Sequence, residues 1–203
     1  MDQLWVTFVV IMTTFLLLGR SMLEIGSVKP KFSRHVASKN LFQLIVSCIC
    51  FFAVGHALSS DAFGGFYGTR QFLMISQSDF INWTPMFISA WHCVSIASSA
   101  LAERTRTSIH ILLAVYLVSL VYPIVVSWGQ GGGWLSRIGF VDCCGCGAIH
   151  VVAGTVGLVG TLRLGPRLGI FNDKMIVGMS RSLSLSEDKD IEINTNLNIL
   201  KRL

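Results

Sequence analysis

The stretch VDCCGCGAIHVVAGTVGLVGTLRL, residues 141–164, is almost entirely apolar from Cys146 to its end. A helix needs about 20 such residues to cross the hydrocarbon core of a bilayer. Lipid provides no water to satisfy an open backbone, so a segment of this kind has to be helical. The stretch therefore predicts a transmembrane helix that carries one histidine, His150, within its length.

Four further apolar runs of similar length precede this one in the chain. Together the five runs predict spans at about 4–24, 41–58, 85–102, 109–127 and 146–164. The composition agrees, because 52% of the residues are hydrophobic, only 13% are charged and the mean hydropathy is +0.63. We expect an all-α integral membrane protein with one transmembrane domain, residues 1–171. Residues 172–203 are richer in serine, acids and asparagine and predict a disordered cytoplasmic tail.

The basic residues predict the orientation of this domain, since Lys and Arg near a span favour the cytoplasmic side. All but two of the 16 Lys and Arg residues fall in the connection 20–40, in 103–108 or after residue 162. The exceptions are Arg70 and Arg137. This alternation predicts an outside N-terminus and a cytoplasmic C-terminus. The cations form no patch interleaved with aromatic residues, so the sequence does not favour nucleic acid as a partner.

Small residues recur along the fifth span in a pattern that favours close helix packing. Ala153, Gly157 and Thr161 follow one another at intervals of four residues, and Gly154 and Gly160 lie between them. In lipid, such small residues let two helix backbones approach closely. We expect this span to be a central, tightly packed helix.

Asp142 and His150 are the ionisable groups that frame the outer part of the fifth span. His150 follows Asp142 by eight positions, which places it about two helical turns deeper. An imidazole at this depth could pass a small hydrogen-bonding molecule along a pore, or it could only hold helices together. Asp142 fits a helix N-cap and also a cation-attracting field at an outer vestibule. For His56 and His92 we expect hydrogen-bonded packing roles within the bundle.

Cysteines near His150 raise the question of a metal site. Cys143, Cys146 and His150 are spaced so that one helix face could present three ligands. However, Gly145 weakens that helix, and no second ligand pair stands at zinc-like spacing elsewhere. We therefore expect no metal and no cofactor. The sequence also contains no set of nucleophile, base and orienting residue, so we do not expect an enzyme.

Four stretches resemble a known family of membrane proteins. They are GRSMLEIGSVKPK at 19–31, SALAERTR at 99–106, YPIVVSWGQGGGWLSRIGFVD at 122–142 and GAIHVVAGTVGLVGTLRLGPRLGIF at 147–171. In order and spacing they are similar to the ammonium transporter family, and specifically to its Amt branch. The resemblance covers most of residues 4–171.

The resemblance implies a trimeric membrane channel, in which each subunit has its own narrow pore. Such a channel recruits an ammonium ion at its outer mouth and conducts ammonia after the ion loses a proton. By this resemblance His150 matches the first of two pore histidines, and Asp142 matches the aspartate that supports the recruited cation. Ammonium or ammonia, the lipid bilayer and identical subunits are the implied partners, and the plasma membrane is the implied location.

Two positions depart from the family pattern. Ser89 stands where the family has an outer gate phenylalanine, with Phe87 and Trp91 nearby. Gln130 stands where the family has the tryptophan of its cation site, and Trp128, two residues earlier, could serve as the vestibule aromatic. Each aromatic face that is lost removes about 0.5–2 kcal/mol of cation–π attraction for ammonium.

The number of predicted spans also departs from the family. Its members have about eleven spans in two inverted halves, with the pore between the halves. This chain resembles the first half. We therefore expect ammonium transport by a partial or truncated family member. The alternative is a half-transporter that does not conduct but associates with full-length subunits and modulates them, and a membrane protein that binds metal through thiols is the least favoured interpretation.

Overall fold

The computed structural model describes residues 3–59, 65–68, 72–74 and 80–166. Every regular element in those ranges is helical. The main helices are α1 (Gln3–Ser27), α2 (Pro30–Ser59), α3 (Phe80–Ala100), α4 (residues 107–129), α5 (Trp134–Arg137) and α6 (Cys143–Leu164). The predicted tail at 172–203 lies outside the described residues.

Four of the described helical segments are long and apolar enough to cross a membrane. They are α1, α2, the run Thr107–Arg137 that contains α4 and α5, and α6. Helix α3, which overlaps the predicted span 85–102, has 21 residues but does not reach the same hydropathy. Its polar residues are tolerated because neighbouring helices surround it. The all-helical membrane fold is confirmed, and the five-span topology and its orientation stay predictions.

Helix α3, rather than α6, is the central helix of the bundle. Its buried residues include Ala90, Cys93, Val94 and Ala97, and it packs against both α1 and α6. By contrast, the buried residues within the regular α-helical part of α6 are Ala153 and Gly157. The prediction that the fifth span is central was therefore wrong, although its small residues do mark a helix contact.

The contact between α6 and α3 depends on glycine. A Cβ atom at Gly157 would lie 2.9 Å from the Ala100 Cβ, and one at Gly160 would lie 2.7 Å from the Leu101 Cδ2. These separations are shorter than two carbon atoms can adopt. At Gly157 the neighbour is the short Ala100 side chain, which cannot move aside, so glycine allows the close approach that the small-residue pattern predicted, whereas the Leu101 side chain at Gly160 can shift.

Helix α2 begins earlier than the sequence suggested. The predicted span was 41–58, but the helix starts at Pro30, and only two residues separate it from the end of α1 at Ser27. The basic segment 20–40 is therefore not an extended connection, since it consists mostly of the adjoining ends of two helices. Pro30 lies in the first helical turn, where a backbone N–H has no partner within the helix. Proline has no N–H, so it fits this position without the loss of a hydrogen bond.

A cluster of buried polar side chains joins α1, α2, α3 and the start of α4. The Lys39 Nζ donates to Glu24 Oε1 at 2.5 Å and to Ser98 Oγ at 2.9 Å. Asn40 Nδ2 donates to the second oxygen of Glu24 at 3.0 Å. We call this cluster the Lys39 network, and its members are Glu24, Lys39, Asn40, Gln43, Ser98, Thr105 and His110.

The other side of the Lys39 network is centred on His110. Ser98 Oγ lies 3.2 Å from His110 Nδ1, and Thr105 Oγ1 lies 2.9 Å from His110 Nε2. Gln43 accepts from Ser98 and donates to the His110 carbonyl. Every member of the network has at least one hydrogen-bond partner, which is the condition under which polar groups are tolerated inside a protein.

Candidate functional site

His150 lies in an irregular part of α6. The segment Cys146–Val151 has π-helical hydrogen bonding, and regular α-helix resumes at Val152. A π-helical turn widens the helix and changes the direction in which its side chains project, and such turns are frequent at functional sites. The His150 side chain is exposed. It is therefore available to a small molecule or to another polypeptide.

Asp142 fixes the start of the helix that carries His150. Its Oδ1 accepts a hydrogen bond from the Gly147 N–H and its Oδ2 accepts one from the Ala148 N–H, both at 3.1 Å. These are amides of the first helical turn, which have no partner within the helix. The Asp142 side chain therefore caps the helical segment that starts at Cys146, but Asp142 is not at the predicted position directly before that segment, because the turn Cys143–Gly145 intervenes. Its support of a recruited cation stays a prediction.

The turn between Asp142 and the helix has a strained backbone conformation at two residues. Cys144 and Gly145 both have positive φ, at 63° and 74°. Glycine adopts this conformation readily, whereas a residue with a Cβ atom, such as Cys144, adopts it only at an energetic cost. The two hydrogen bonds to Asp142 help to hold this turn in place. The conformation of the turn sets the position at which the helical segment that carries His150 begins.

His92 of α3 lies against His150. The centroids of the two imidazole rings are 5.3 Å apart, and the ring planes are nearly perpendicular at 82°. From the sequence, His92 was expected to have a packing role, and its contact with His150 was not predicted. A signal was available, because α3 and α6 both carry a histidine in an otherwise apolar span. However, the sequence alone gives neither the relative depth nor the rotation of the two helices, so a histidine in each of two spans does not predict a contact between them.

Ser89, which was predicted from the sequence to stand at the position of an outer gate, also lies on α3. It is half-buried, and its side chain hydrogen-bonds to Tyr122 of α4. Phe87 does not replace the missing gate ring at Ser89, because it stacks on Trp83 within the core, with centroids 5.1 Å apart and planes 9° apart. A hydroxyl at position 89 leaves more room than a phenyl ring would, and the assignment of a gate to this position stays a prediction.

Trp128 and Gln130 lie at the end of α4. The Trp128 Nε1 donates to the carbonyl oxygen of Phe66 at 2.8 Å, and its ring tilts against Trp134 with centroids 5.9 Å apart. Trp128 therefore contacts both the segment that contains Phe66 and the first residue of α5, Trp134, at this end of the bundle. Gln130 is exposed and ends α4, where its N–H donates to the Val126 carbonyl.

The cysteines near His150 do not converge on a ligand position. Cys143, Cys144 and Cys146 are all exposed. Within the part of the chain that the structure describes, no three side chains of His, Cys, Asp or Glu come together in a way that could hold a metal ion. What the site offers is hydrogen bonding, with a capped helix start, two touching imidazoles and a nearby hydroxyl.

Comparison with known proteins places these residues in a family. The sequence profile of the Ammonium Transporter Family matches residues 4–186. Ammonium transporter 3 of Dictyostelium discoideum is 33% identical over 177 residues, which are 86% of this chain and 41% of that protein. Ammonium transporter Amt2 of Archaeoglobus fulgidus is 31% identical over 186 residues, which are 84% of this chain and 40% of that protein.

A solved structure gives the same result for the fold. The protein described as Sensor Amt Protein superposes with a TM-score of 0.80 at 25% sequence identity. The match covers 85% of this chain and 46% of that one. The chain thus spans less than half the length of each of these relatives.

Proposed function

The chain belongs to the ammonium transporter family, and we propose from this that it takes part in moving ammonium across a membrane. The proposal includes the plasma membrane as the location and ammonia as the species that passes His150. Its main support within the chain is the position of His150, directly after a helix start that Asp142 holds with two hydrogen bonds.

In the proposed mechanism Asp142 has two roles. Its carboxylate orients the first turn of α6, and its negative charge favours a cation at the outer end of the bundle. His150 lies deeper and offers one donor and one acceptor nitrogen when neutral, which suits a molecule such as ammonia. Trp128 contributes an aromatic ring near the same end, in place of the tryptophan that Gln130 replaces.

We include in the proposal that the path is completed by other polypeptides. The chain spans about 40% of the relatives named above, and the exposed His150 lies on a helix with other exposed residues. Val151, Leu158, Val159 and Leu162 of α6 are all exposed in the same way. A homotrimer or an assembly with full-length transporter subunits would cover such a surface.

Uptake of ammonium or radiolabelled methylammonium tests the proposal directly. The 203-residue chain would be expressed in cells whose own ammonium transporters have been deleted, alone and together with a full-length family member. We expect His150→Ala to change the uptake rate or its selectivity against potassium. His35→Gln serves as the control, since His35 is exposed at the surface of α2 and away from Asp142. Wild-type uptake and selectivity in His150→Ala would contradict the pore role.

The second candidate function is modulation without conduction, and the polar Ser89 and Gln130 positions favour it. A path without the gate ring and the cation-site ring would recruit ammonium poorly. If this candidate is correct, the chain copurifies with a full-length subunit and lowers its uptake when both are expressed. A chain that is recovered alone in detergent and leaves the full-length protein's uptake unchanged would rule it out.

A further inference from the structure

Three of the six cysteines lie together at the start of α6. They are Cys143, Cys144 and Cys146, and the side chains of all three are exposed. The other three cysteines lie within helices and are buried or half-buried. Disulfide exchange requires contact between a thiol and its reagent, so exposed thiols react in preference to buried ones. The proposed transport mechanism makes no use of these three thiols.

The backbone of this turn brings its first and last cysteines close together. Cys144 has φ 63° and ψ 21°, and Gly145 has φ 74° and ψ 22°. These angles resemble those of a type I′ β-turn, which are about 60° and 30° at the second residue and about 90° and 0° at the third. In a β-turn the Cα atoms of the first and fourth residues lie within about 7 Å of each other. Cys143 and Cys146 occupy those two positions.

This separation suits a disulfide bond between Cys143 and Cys146. Disulfides join residues whose Cα atoms are about 4.4–6.8 Å apart. The segment Cys143–Gly145 has 3-10 hydrogen bonding, and three residues per turn bring the side chain of residue i+3 over that of residue i. The adjacent Cys143 and Cys144 are too close for the same bond, because neighbouring Cα atoms are only about 3.8 Å apart.

The same turn determines where the helical segment that carries His150 begins. Asp142 accepts hydrogen bonds from the Gly147 and Ala148 amides on the far side of the turn. Cys143 follows Asp142 directly, and Cys146 directly precedes Gly147. A disulfide bond between these two cysteines would therefore restrain the backbone that the Asp142 hydrogen bonds also hold.

We propose that Cys143 and Cys146 form a reversible dithiol site, which a small-molecule disulfide oxidises, and that the resulting bond holds the start of this helical segment. The orientation predicted from the basic residues would place the turn outside the cytoplasm, where disulfides persist. The inference does not depend on the proposed transport function, so either can fail without the other.

The oxidation proceeds by two exchange steps, here written with glutathione disulfide as the oxidant. The thiolate of one cysteine attacks a sulfur atom of glutathione disulfide, forms a mixed disulfide and releases one glutathione. The thiolate of the second cysteine then attacks the protein sulfur of the mixed disulfide and releases the second glutathione. Two protein thiols are thereby oxidised to one disulfide, and glutathione disulfide is reduced to two thiols that take up the two protons.

Mass spectrometry of the complete 203-residue chain tests the pairing. The reduced chain in detergent is incubated with glutathione disulfide, its remaining thiols are alkylated, and it is cleaved with trypsin. All three cysteines then lie in one peptide, between Arg137 and Arg163. We expect this peptide to lack two hydrogen atoms and to carry one alkylated thiol. The Cys144→Ser peptide should contain the same disulfide and no alkylated thiol, whereas Cys143→Ser and Cys146→Ser should keep glutathione as a mixed disulfide.

Three results would overturn the pairing. They are glutathione that stays bound to the wild-type peptide, an internal disulfide in the Cys143→Ser peptide, and a disulfide that links two copies of the chain on a non-reducing gel. A wild-type peptide that keeps three free thiols at every concentration of glutathione disulfide would also overturn it.

Thermal unfolding tests the structural effect of the bond. Asp142→Ala should lower the unfolding temperature of the reduced chain, and it should lower that of the oxidised chain less, because the disulfide restrains the same turn. In a Cys146→Ser background the treatment with glutathione disulfide should leave the effect of Asp142→Ala unchanged. Equal losses in the reduced and the oxidised wild-type background would overturn the role of the bond at the helix start.

Discussion

Two groups of polar side chains lie inside this bundle, and they differ in how completely they are satisfied. In the Lys39 network every member has a hydrogen-bond partner, and Lys39 is only 1% exposed. In the pair of His92 and His150, by contrast, the His150 ring is exposed and contacts the His92 ring edge-on. Satisfied buried groups stabilise one arrangement of helices. Groups with unused hydrogen-bonding capacity are the ones that can act on a substrate.

This difference predicts that changes in the Lys39 network affect stability, whereas changes at the histidine pair affect transport and selectivity. The following substitutions test the separation, and they are ordered by the size of the expected effect.

Lys39→Met should produce the largest loss of stability. It leaves the Glu24 carboxylate buried without its cation, and breaking one partner of such a pair costs about 3–5 kcal/mol. Thermal unfolding of the purified chain in detergent measures the effect. Lys31→Met is the control, because Lys31 is exposed. Equal unfolding temperatures for the two variants would show that the network is not stabilising and would remove the contrast between the regions.

Gly157→Leu should have the next largest effect, because it acts on the contact that sets the distance between α3 and α6. Overpacking of this kind costs about 1–3 kcal/mol, and the shift should also separate His92 from His150. Gly154→Leu is a matched control, since nothing lies within 4 Å of a Cβ atom there. Thermal unfolding and uptake together measure both consequences. If Gly154→Leu is as damaging as Gly157→Leu, the close approach at Gly157 is not what holds the helices.

Asp142→Ala should lower stability less than Lys39→Met or Gly157→Leu does. Its effect on ammonium uptake should be larger than its effect on stability. The loss of both hydrogen bonds to the first turn of α6 costs about 1 kcal/mol. Asp142→Asn keeps one oxygen acceptor and should fall between Ala and the wild type in unfolding temperature. Its uptake should be as low as that of the alanine variant if the negative charge recruits the cation. Uptake by Asp142→Asn at the wild-type rate would limit Asp142 to capping.

Trp128→Phe should have the smallest effect, because it removes one hydrogen bond and keeps an aromatic ring. The bond to the Phe66 carbonyl contributes about 0.5–1.5 kcal/mol. We expect a slightly lower unfolding temperature with little change in the uptake KM, and Trp134→Phe provides the comparison at the neighbouring ring. A large rise in KM would instead show that the indole ring itself binds the cation.

The sequence predicted the structure best where residues close together in the chain determine a feature. Apolar length predicted the membrane helices, and the spacing of Ala153 and Gly157 predicted a close contact because nothing larger fits there. Asp142 was predictable as a cap because the carboxylate and the amides that it binds lie within six residues of each other.

The rest depends on which helices meet, and a single sequence does not encode that locally. Lys39 was counted among the basic residues of the connection 20–40, but its partners Glu24 and Ser98 are 15 and 59 residues away. The early start of α2 did have a local signal in Pro30, which the density of basic residues obscured. The contact of His92 with His150 follows from the rotation of α3 against α6.

The pairing of Lys39 with Glu24 also bears on how the chain enters the membrane during synthesis. Glu24 lies three residues before the end of α1 and Lys39 is the tenth residue of α2, so each charge would have to stay near the membrane surface if its helix entered lipid alone. The two helices are separated by only two residues, and the charges that disfavour each of them neutralise one another when they enter as a hairpin. Biogenesis of this protein is therefore expected to begin with a two-helix unit, onto which α3 adds Ser98 as the third partner.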